Sequence, residues 1–290
     1  MSKQIITDYK KCLTDALAIL GMIATFIPVS ECISSPWEKM GAIFVFLMIV
    51  LVITTVYRKW IKKSFLVWKK GTIEIRIKKG NILKCNRKRN KKKIIVICVN
   101  NDFDMEVEGP GKQSLISPLS LHGQWVKFFM QKYKKSLDEL NWMVEKAIKD
   151  NDNVMRTKRC LSLEEKPRGN LCRYSKGSII AIKGKENDNL VFFLFALNEF
   201  DNNNHNKKMR KDELKILLHK LIDFCNENSQ GYDIEMPIVS TVFAIPKLTA
   251  SQSVELIMSS LFEKIDMVKS NYTIVVPNDC FDEIIQNIKE

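Results

Sequence analysis

Eighteen consecutive residues, Met40–Tyr57 (MGAIFVFLMIVLVITTVY), carry no charge, and this run constrains the chain more than any other feature. As a helix it covers about 27 Å, close to the roughly 30 Å of a hydrocarbon core. Eleven of its residues are Leu, Ile, Phe or Val, each favouring insertion by roughly 0.3 to 0.6 kcal/mol near a helix centre. Trp37 and Tyr57 bracket the run as interfacial anchors, and Arg58, Lys59, Lys62 and Lys63 follow at once. A helix buried in a soluble core keeps a polar stripe; this one has none, so a membrane span is expected.

An earlier run, 12–30, contains Asp15 near one end and Pro28 in its last turn, positions where a carboxylate reaches the interface and a kink is tolerated. The connection 31–39, with Pro36 and two acids, suits a tight hairpin loop, and no small-residue cleavage site marks a signal peptide. Residues 1–63 are therefore expected to form a transmembrane hairpin with spans at about 12–30 and 40–57. Lys3, Lys10 and Lys11 precede the first run and six Lys/Arg lie within 58–70, against Lys39 alone between the runs. The positive-inside rule then predicts a multi-pass protein of the cell (inner) membrane with both termini and residues 64–290 in the cytosol.

Residues 64–290 hold 38 basic and 29 acidic side chains, a balance that favours anionic partners. Thr72–Lys78 alternates apolar and polar residues as a half-buried strand does, and Gly80-Asn81 breaks it. Ile94–Val99 is continuously apolar and suits a central strand covered on both faces. Trp125, Phe128, Phe129 and Tyr133 fall at helical spacing from Gln124 onward, a second amphipathic stretch covers Leu137–Lys149, and residues 151–168 read as loop. Strands are expected at 178–183, 190–197, 235–242 and 272–276, and helices at 211–228, 251–268 and 279–289. Alternation of this kind indicates an α/β sandwich with a mixed, largely parallel sheet.

Catalytic signatures are missing: there is no GxSxG, Walker A or GxGxxG motif. The eight cysteines form no CxxC pair and, with three histidines, no zinc set, so they read as reduced, buried thiols. His205 and His219 read as structural or solvated. His122, in Ser120-Leu121-His122-Gly123, opens a helix where an anion could sit, although a lone histidine in a turn is usually structural. The basic tip 84–93 reads as a solvated hairpin end or as a contact for anionic lipid; it lacks the interleaved aromatics of a nucleic-acid platform, so no nucleic acid is expected. Ligands of open α/β sheets bind at the carboxyl ends of strands. Asn100 and Asn101 follow one apolar strand and Ser240-Thr241-Val242-Phe243 follow another, where small polar residues and backbone amides suit a diphosphate.

The order GNIL (80–83), IIVICVNNDFD (94–104), SLISPLSLHGQWVKFFM (114–130), LVFFLFALNEFDNNN (190–204) and IEMPIVSTVFAIPKLTASQSVELI (234–257) resembles the macro domain of bacterial Thoeris defence effectors, in the version with two N-terminal spans found in type II systems. The resemblance implies a macro-domain-like three-layer α/β/α sandwich with a mixed sheet at 64–290, acting as a ligand sensor and not as an enzyme. It implies an ADP-ribose-derived second messenger, a histidine–ADP-ribose conjugate in such systems, made by a partner TIR-domain protein. Binding would drive self-association into an oligomer or filament and disrupt the lipid bilayer. No cofactor is implied. Carried over by residue, Asn81 and Ile82 align with the family's adenine contact, Asn100 and Asn101 with the asparagines near the distal ribose, and Ser240, Thr241, Val242 and Phe243 with its phosphate loop. Asp104, Ser120, His122 and Gly123 complete the expected ligand set from VNNDFD and SLHG. Asn81 replaces the usual aspartate, and 240–243 lack the usual glycines, so side chains crowd the amides that cradle phosphate. That argues against the alternative of a membrane-tethered ADP-ribosyl hydrolase; a lipid- or nucleic-acid-binding module using 84–93 is the other alternative.

Overall fold

In the computed structural model of this protein, the apolar run at 94–99 lies inside β3 (Lys93–Asn100), in the interior of a seven-stranded sheet. The structure describes Ser35, Trp37 and residues 64–84, 92–107, 114–203, 205–239 and 248–289. The spans expected at 12–30 and 40–57, and most of the basic tip 84–93, fall outside the described residues. Among those described, no helix is long and apolar enough to cross a membrane. The fold below belongs to the unit Ser64–Ile284.

β3 is flanked on one side by β8 (Asp233–Pro237) and on the other by β7 (Leu190–Asn198), parallel to both. β9 (Tyr272–Val276) pairs with β8, and β2 (Ile73–Lys79) with β9, again in parallel. The two edges are antiparallel: β1 (Ser64–Lys70) on β2, and β6 (Ile179–Lys183) on β7. This is the expected mixed, largely parallel sheet. β1 was not expected, because its lysines continue the basic run after Tyr57; its exposed Lys69 and Lys70 are typical of a guarded sheet edge. β8 starts earlier and ends sooner than the expected 235–242, closing at Pro237, which has no N–H to extend the ladder.

Alternation along the strands feeds two cores. On one face, Ile95, Ile97, Val99, Phe192, Leu194, Ala196, Ile180 and Ile182 pack under α1 (Leu121–Tyr133) and α2 (Leu137–Lys149). Trp125, Phe128 and Phe129 of α1 set their rings 5.8, 6.2 and 5.8 Å from Phe192. The fully buried Trp125, Phe129 and Phe192 each contribute roughly 1.5–3 kcal/mol. On the other face Phe193 meets Phe224 edge-on at 5.1 Å, which seats α4 (Lys211–Asn228) there, with α5 (Ala250–Glu263) packed against it. Helices on both faces complete the three layers. Local chemistry sets the helix starts: Ser136 with Glu139, and Thr249 with Gln252, form capping boxes.

The segment expected to be loop at 151–168 is partly ordered. It holds α3 (Asp152–Met155) and, at β4 (Arg159–Cys160), one half of a two-stranded ladder whose other half is β5 (Cys172–Arg173). Burial holds the Cys98 and Cys225 thiols up at about 12, in line with the expected inert thiols; Cys160, by contrast, is exposed.

Candidate ligand-binding site

β2, β9, β8, β3 and β7 run parallel, so their carboxyl ends share one edge of the sheet. Topology therefore gathers Asn81 and Ile82 after β2, Asn100, Asn101 and Asp104 at the end of β3, and Asn198 at the end of β7. Ser240, Thr241, Val242 and Phe243 follow β8 in sequence but lie outside the described residues. The Gly80 N–H donates to Val276 O at 2.9 Å, tying this turn to β9. Asn81 Oδ1 accepts from Leu83 N at 2.8 Å and opens a single 3₁₀ turn, while Ile82 is buried in the core under α1.

At the end of β3 the register slips between Val99 and Asn100. The Asn101 N–H reaches Asn198 O at 2.7 Å, and the chain turns so tightly that Phe103 takes φ +51°. A left-handed phenylalanine costs roughly 1–2 kcal/mol, and hydrogen bonds offset it. Asn100 closes on Asp104 twice: its Oδ1 accepts from Asp104 N at 3.0 Å and its Nδ2 donates to Asp104 Oδ2 at 2.5 Å.

Residues 161–171, with β5, form a strap that ties this turn from outside. Lys166, whose side chain has no exposed surface, places Nζ 2.6 Å from Asp104 Oδ2 and 2.8 Å from Asp102 Oδ2. Arg173 grips Asp102 with Nε and Nη2 at 2.7 and 3.0 Å. Asn170 donates its N–H to Asp104 Oδ1 at 2.7 Å and its Nδ2 to the carbonyls of Asp102 and Phe103. The approach is close: a Cβ on Gly169, at φ +88°, would sit 2.4 Å from Asp104 Oδ1, so only glycine fits. Burial pushes the Asp104 carboxyl up, while the Lys166 ammonium and the Asn170 and Asn100 donors pull it back. Arg173 also reaches Glu199 at 3.1 Å, which Lys207 holds at 2.6 Å, so the linked acids Asp102, Asp104 and Glu199 are matched by three bases.

Ser120 caps α1, its Oγ accepting from Gly123 N at 3.0 Å, and Gly123 packs where a Cβ would lie 2.2 Å from Ser117 O. His122, in the first turn, is buried, and burial lowers its imidazole to about 3. At neutral pH it is therefore uncharged. An anion beside it would be drawn by the N–H groups of the opening turn of α1, the reason the sequence offered, and not by the imidazole.

Among the described residues, the buried amide oxygens Asn101 Oδ1 and Asn198 Oδ1 at the carboxyl edge have no donor. The Asn101 amide is oriented by Nδ2 donating to Tyr174 O at 2.8 Å, so the oxygen is the free end. An unsatisfied buried acceptor costs roughly 1–3 kcal/mol, and hydroxyl or amine donors of a ligand are the chemistry that would relieve it. His122 Nε2 is a third buried atom in need of a partner. Sequence reasoning singled out Asn101 and His122. It missed Asn198, although LFALNEFD had the same strand-end position as VNNDFD, and it missed Lys166, Asn170 and Arg173, whose polar segment carried no periodic signal.

Residues 75–277 match the family described as Thoeris protein ThsA, Macro domain. Among solved structures, the chain is similar to an Oceanobacillus iheyensis macrodomain with MES bound, at 13% identity over 78% of this chain and 95% of that one, TM-score 0.47. The same macrodomain with ADP gives 12% identity over 78% and 96%, TM-score 0.47. A Bacteroides thetaiotaomicron protein of unknown function gives 14% over 70% and 99%, TM-score 0.37. No curated protein matches the chain. The family match runs from within β2 to just past β9 and takes in every parallel strand of the sheet, and on it the chain belongs to the macro-domain family of the Thoeris protein ThsA.

Proposed function

We propose that this chain is a sensor of an anti-phage Thoeris system that binds an ADP-ribose-derived nucleotide at the carboxyl edge of its sheet. One observation carries the reading: Asn101 and Asn198, joined by the bond from the Asn101 N–H to Asn198 O, each hold a buried Oδ1 with no donor among the described residues, suited to ribose hydroxyls. Asn81 and Ile82 stand on the same edge for the base, and 240–243 follow β8, where a diphosphate would lie. Binding is favoured over turnover because the edge carboxylate Asp102 is committed to Lys166 and Arg173, and Asp104 to Lys166, which leaves neither as a general base. In this reading a TIR-domain partner makes the ligand, a histidine–ADP-ribose conjugate. Ligand binding drives self-association, and the hairpin expected in residues 1–63 acts on the inner membrane.

Titration calorimetry of the full chain with ADP-ribose and with histidine–ADP-ribose tests this. Saturable heat is expected with at least the conjugate. Folded protein that gives no heat with either ligand overturns the sensor reading, and release of free ADP-ribose from an ADP-ribosylated substrate overturns the preference for binding over hydrolysis.

A further inference from the structure

Cys160 and Cys172 are direct partners across the β4–β5 ladder. Next to them the Leu161 N–H donates to Leu171 O at 2.8 Å, which makes 161/171 a hydrogen-bonded pair. Pair types alternate along an antiparallel ladder, so Cys160/Cys172 is a non-hydrogen-bonded pair, the type whose Cα atoms approach to about 4.5 Å with side chains on one face. A disulfide needs Cα atoms roughly 4.4–6.8 Å apart. Both thiols are free, Cys160 is exposed and Cys172 is half-buried, so a small oxidant reaches the pair. Burial raises the thiols of Cys98 in β3 and Cys225 on the buried face of α4, and neither has a cysteine across from it in a strand pair.

We infer that Cys160 and Cys172 form a thiol-oxidation site that hydrogen peroxide converts to a cross-strand disulfide stapling the strap 161–171. The exposed Cys160, as thiolate, attacks one peroxide oxygen; the O–O bond breaks, a first water leaves and Cys160 becomes a sulfenic acid. Cys172 then attacks that sulfur, the S–O bond breaks and its proton leaves with the oxygen as a second water. The two thiols together lose two electrons and two protons, and peroxide takes them up. A thiol reductant reverses the bond by exchange. The ring so closed contains Lys166 and Asn170, which hold Asp104 and the Asp102–Phe103 carbonyls, and Arg173 directly follows it. The staple therefore acts on the support of the Asn100–Asp104 turn, and its existence does not depend on which ligand that turn serves.

The test uses the full chain, reduced and then treated with a stoichiometric amount of hydrogen peroxide, alkylated and digested with trypsin. Because Pro167 follows Lys166, trypsin leaves 160–168 and 169–173 as the two cysteine peptides. They are expected as one linked species, lighter by two hydrogens than their sum and separated by reductant. The melting temperature of the oxidised chain should rise by about 5 °C, and Cys172→Ser should abolish both effects while leaving the reduced chain's melting temperature unchanged. Recovery of the two peptides separately, alkylated or as sulfinic acids, overturns the site. So does a Cys160 link to a second chain. A linked pair without the thermal rise overturns the stapling.

Discussion

Lys166 Nζ and Asp104 Oδ2 meet at 2.6 Å with neither side chain in contact with water, across 62 positions of sequence. The pair, extended by Asp102 and Arg173, joins two segments that are otherwise irregular: the turn leaving β3 and the strap before β5. Buried ions are expensive alone and tolerable together, so this arrangement makes the turn and the strap fold as one.

Removing the cation exposes that dependence. Lys166→Met keeps most of the stem and deletes the ammonium, leaving Asp102 with an Arg173 already shared with Glu199 and Asp104 without its ion-pair partner. Urea unfolding should show a loss of about 3–5 kcal/mol, and adding Asp104→Asn to the same chain should recover part of it. A loss below about 1 kcal/mol would mean the pair is solvated.

Asn198 separates ligand binding from stability. Its Oδ1 is buried without a donor, so Asn198→Ala deletes a group that the free protein does not satisfy, and unfolding should be unchanged or slightly more costly. If the oxygen accepts from a ribose hydroxyl, calorimetry should show affinity for the ADP-ribose conjugate falling about tenfold, the equivalent of roughly 1.4 kcal/mol. Unchanged affinity would remove Asn198 from the site.

His122 gives the fold a pH dependence with a defined sign. Its imidazole titrates near 6.5 when unfolded and at about 3 when buried. Between those values the unfolded chain holds a proton that the folded chain lacks, so stability falls as pH drops from about 6.5 towards 3, at roughly 1.4 kcal/mol per unit. Urea melts at pH 7 and pH 5 should show this drop. His122→Phe, which fills the space without titrating, should flatten it; an equal slope in that variant would assign the effect elsewhere.

The layers of this fold were legible because burial leaves a period in the sequence. Ile94–Val99 and 190–197 are continuously apolar, as doubly covered strands must be, and Trp125, Phe129 and Tyr133 repeat at helical spacing where α1 lies on Phe192. Asn101 could be placed at a ligand edge by the same logic, since it stands where an apolar strand ends. β1 was hidden because its lysines merge with the basic run before it. Residues 151–168 were read as loop because a segment held by ions and capped turns has no period.

By itself, then, the sequence determined the strands and helices that carry an apolar period, and that asparagines close β3, because each depends on neighbours a few positions away. Only the tertiary structure decided that Lys166 and Arg173 neutralise Asp102 and Asp104, that Gly169 lies against a carboxylate, that Asn198 joins Asn101 at the edge, and that Cys160 faces Cys172. Those pairings follow from strand register and chain closure over long separations. Charge complementarity between distant residues is specific in space but leaves no local pattern.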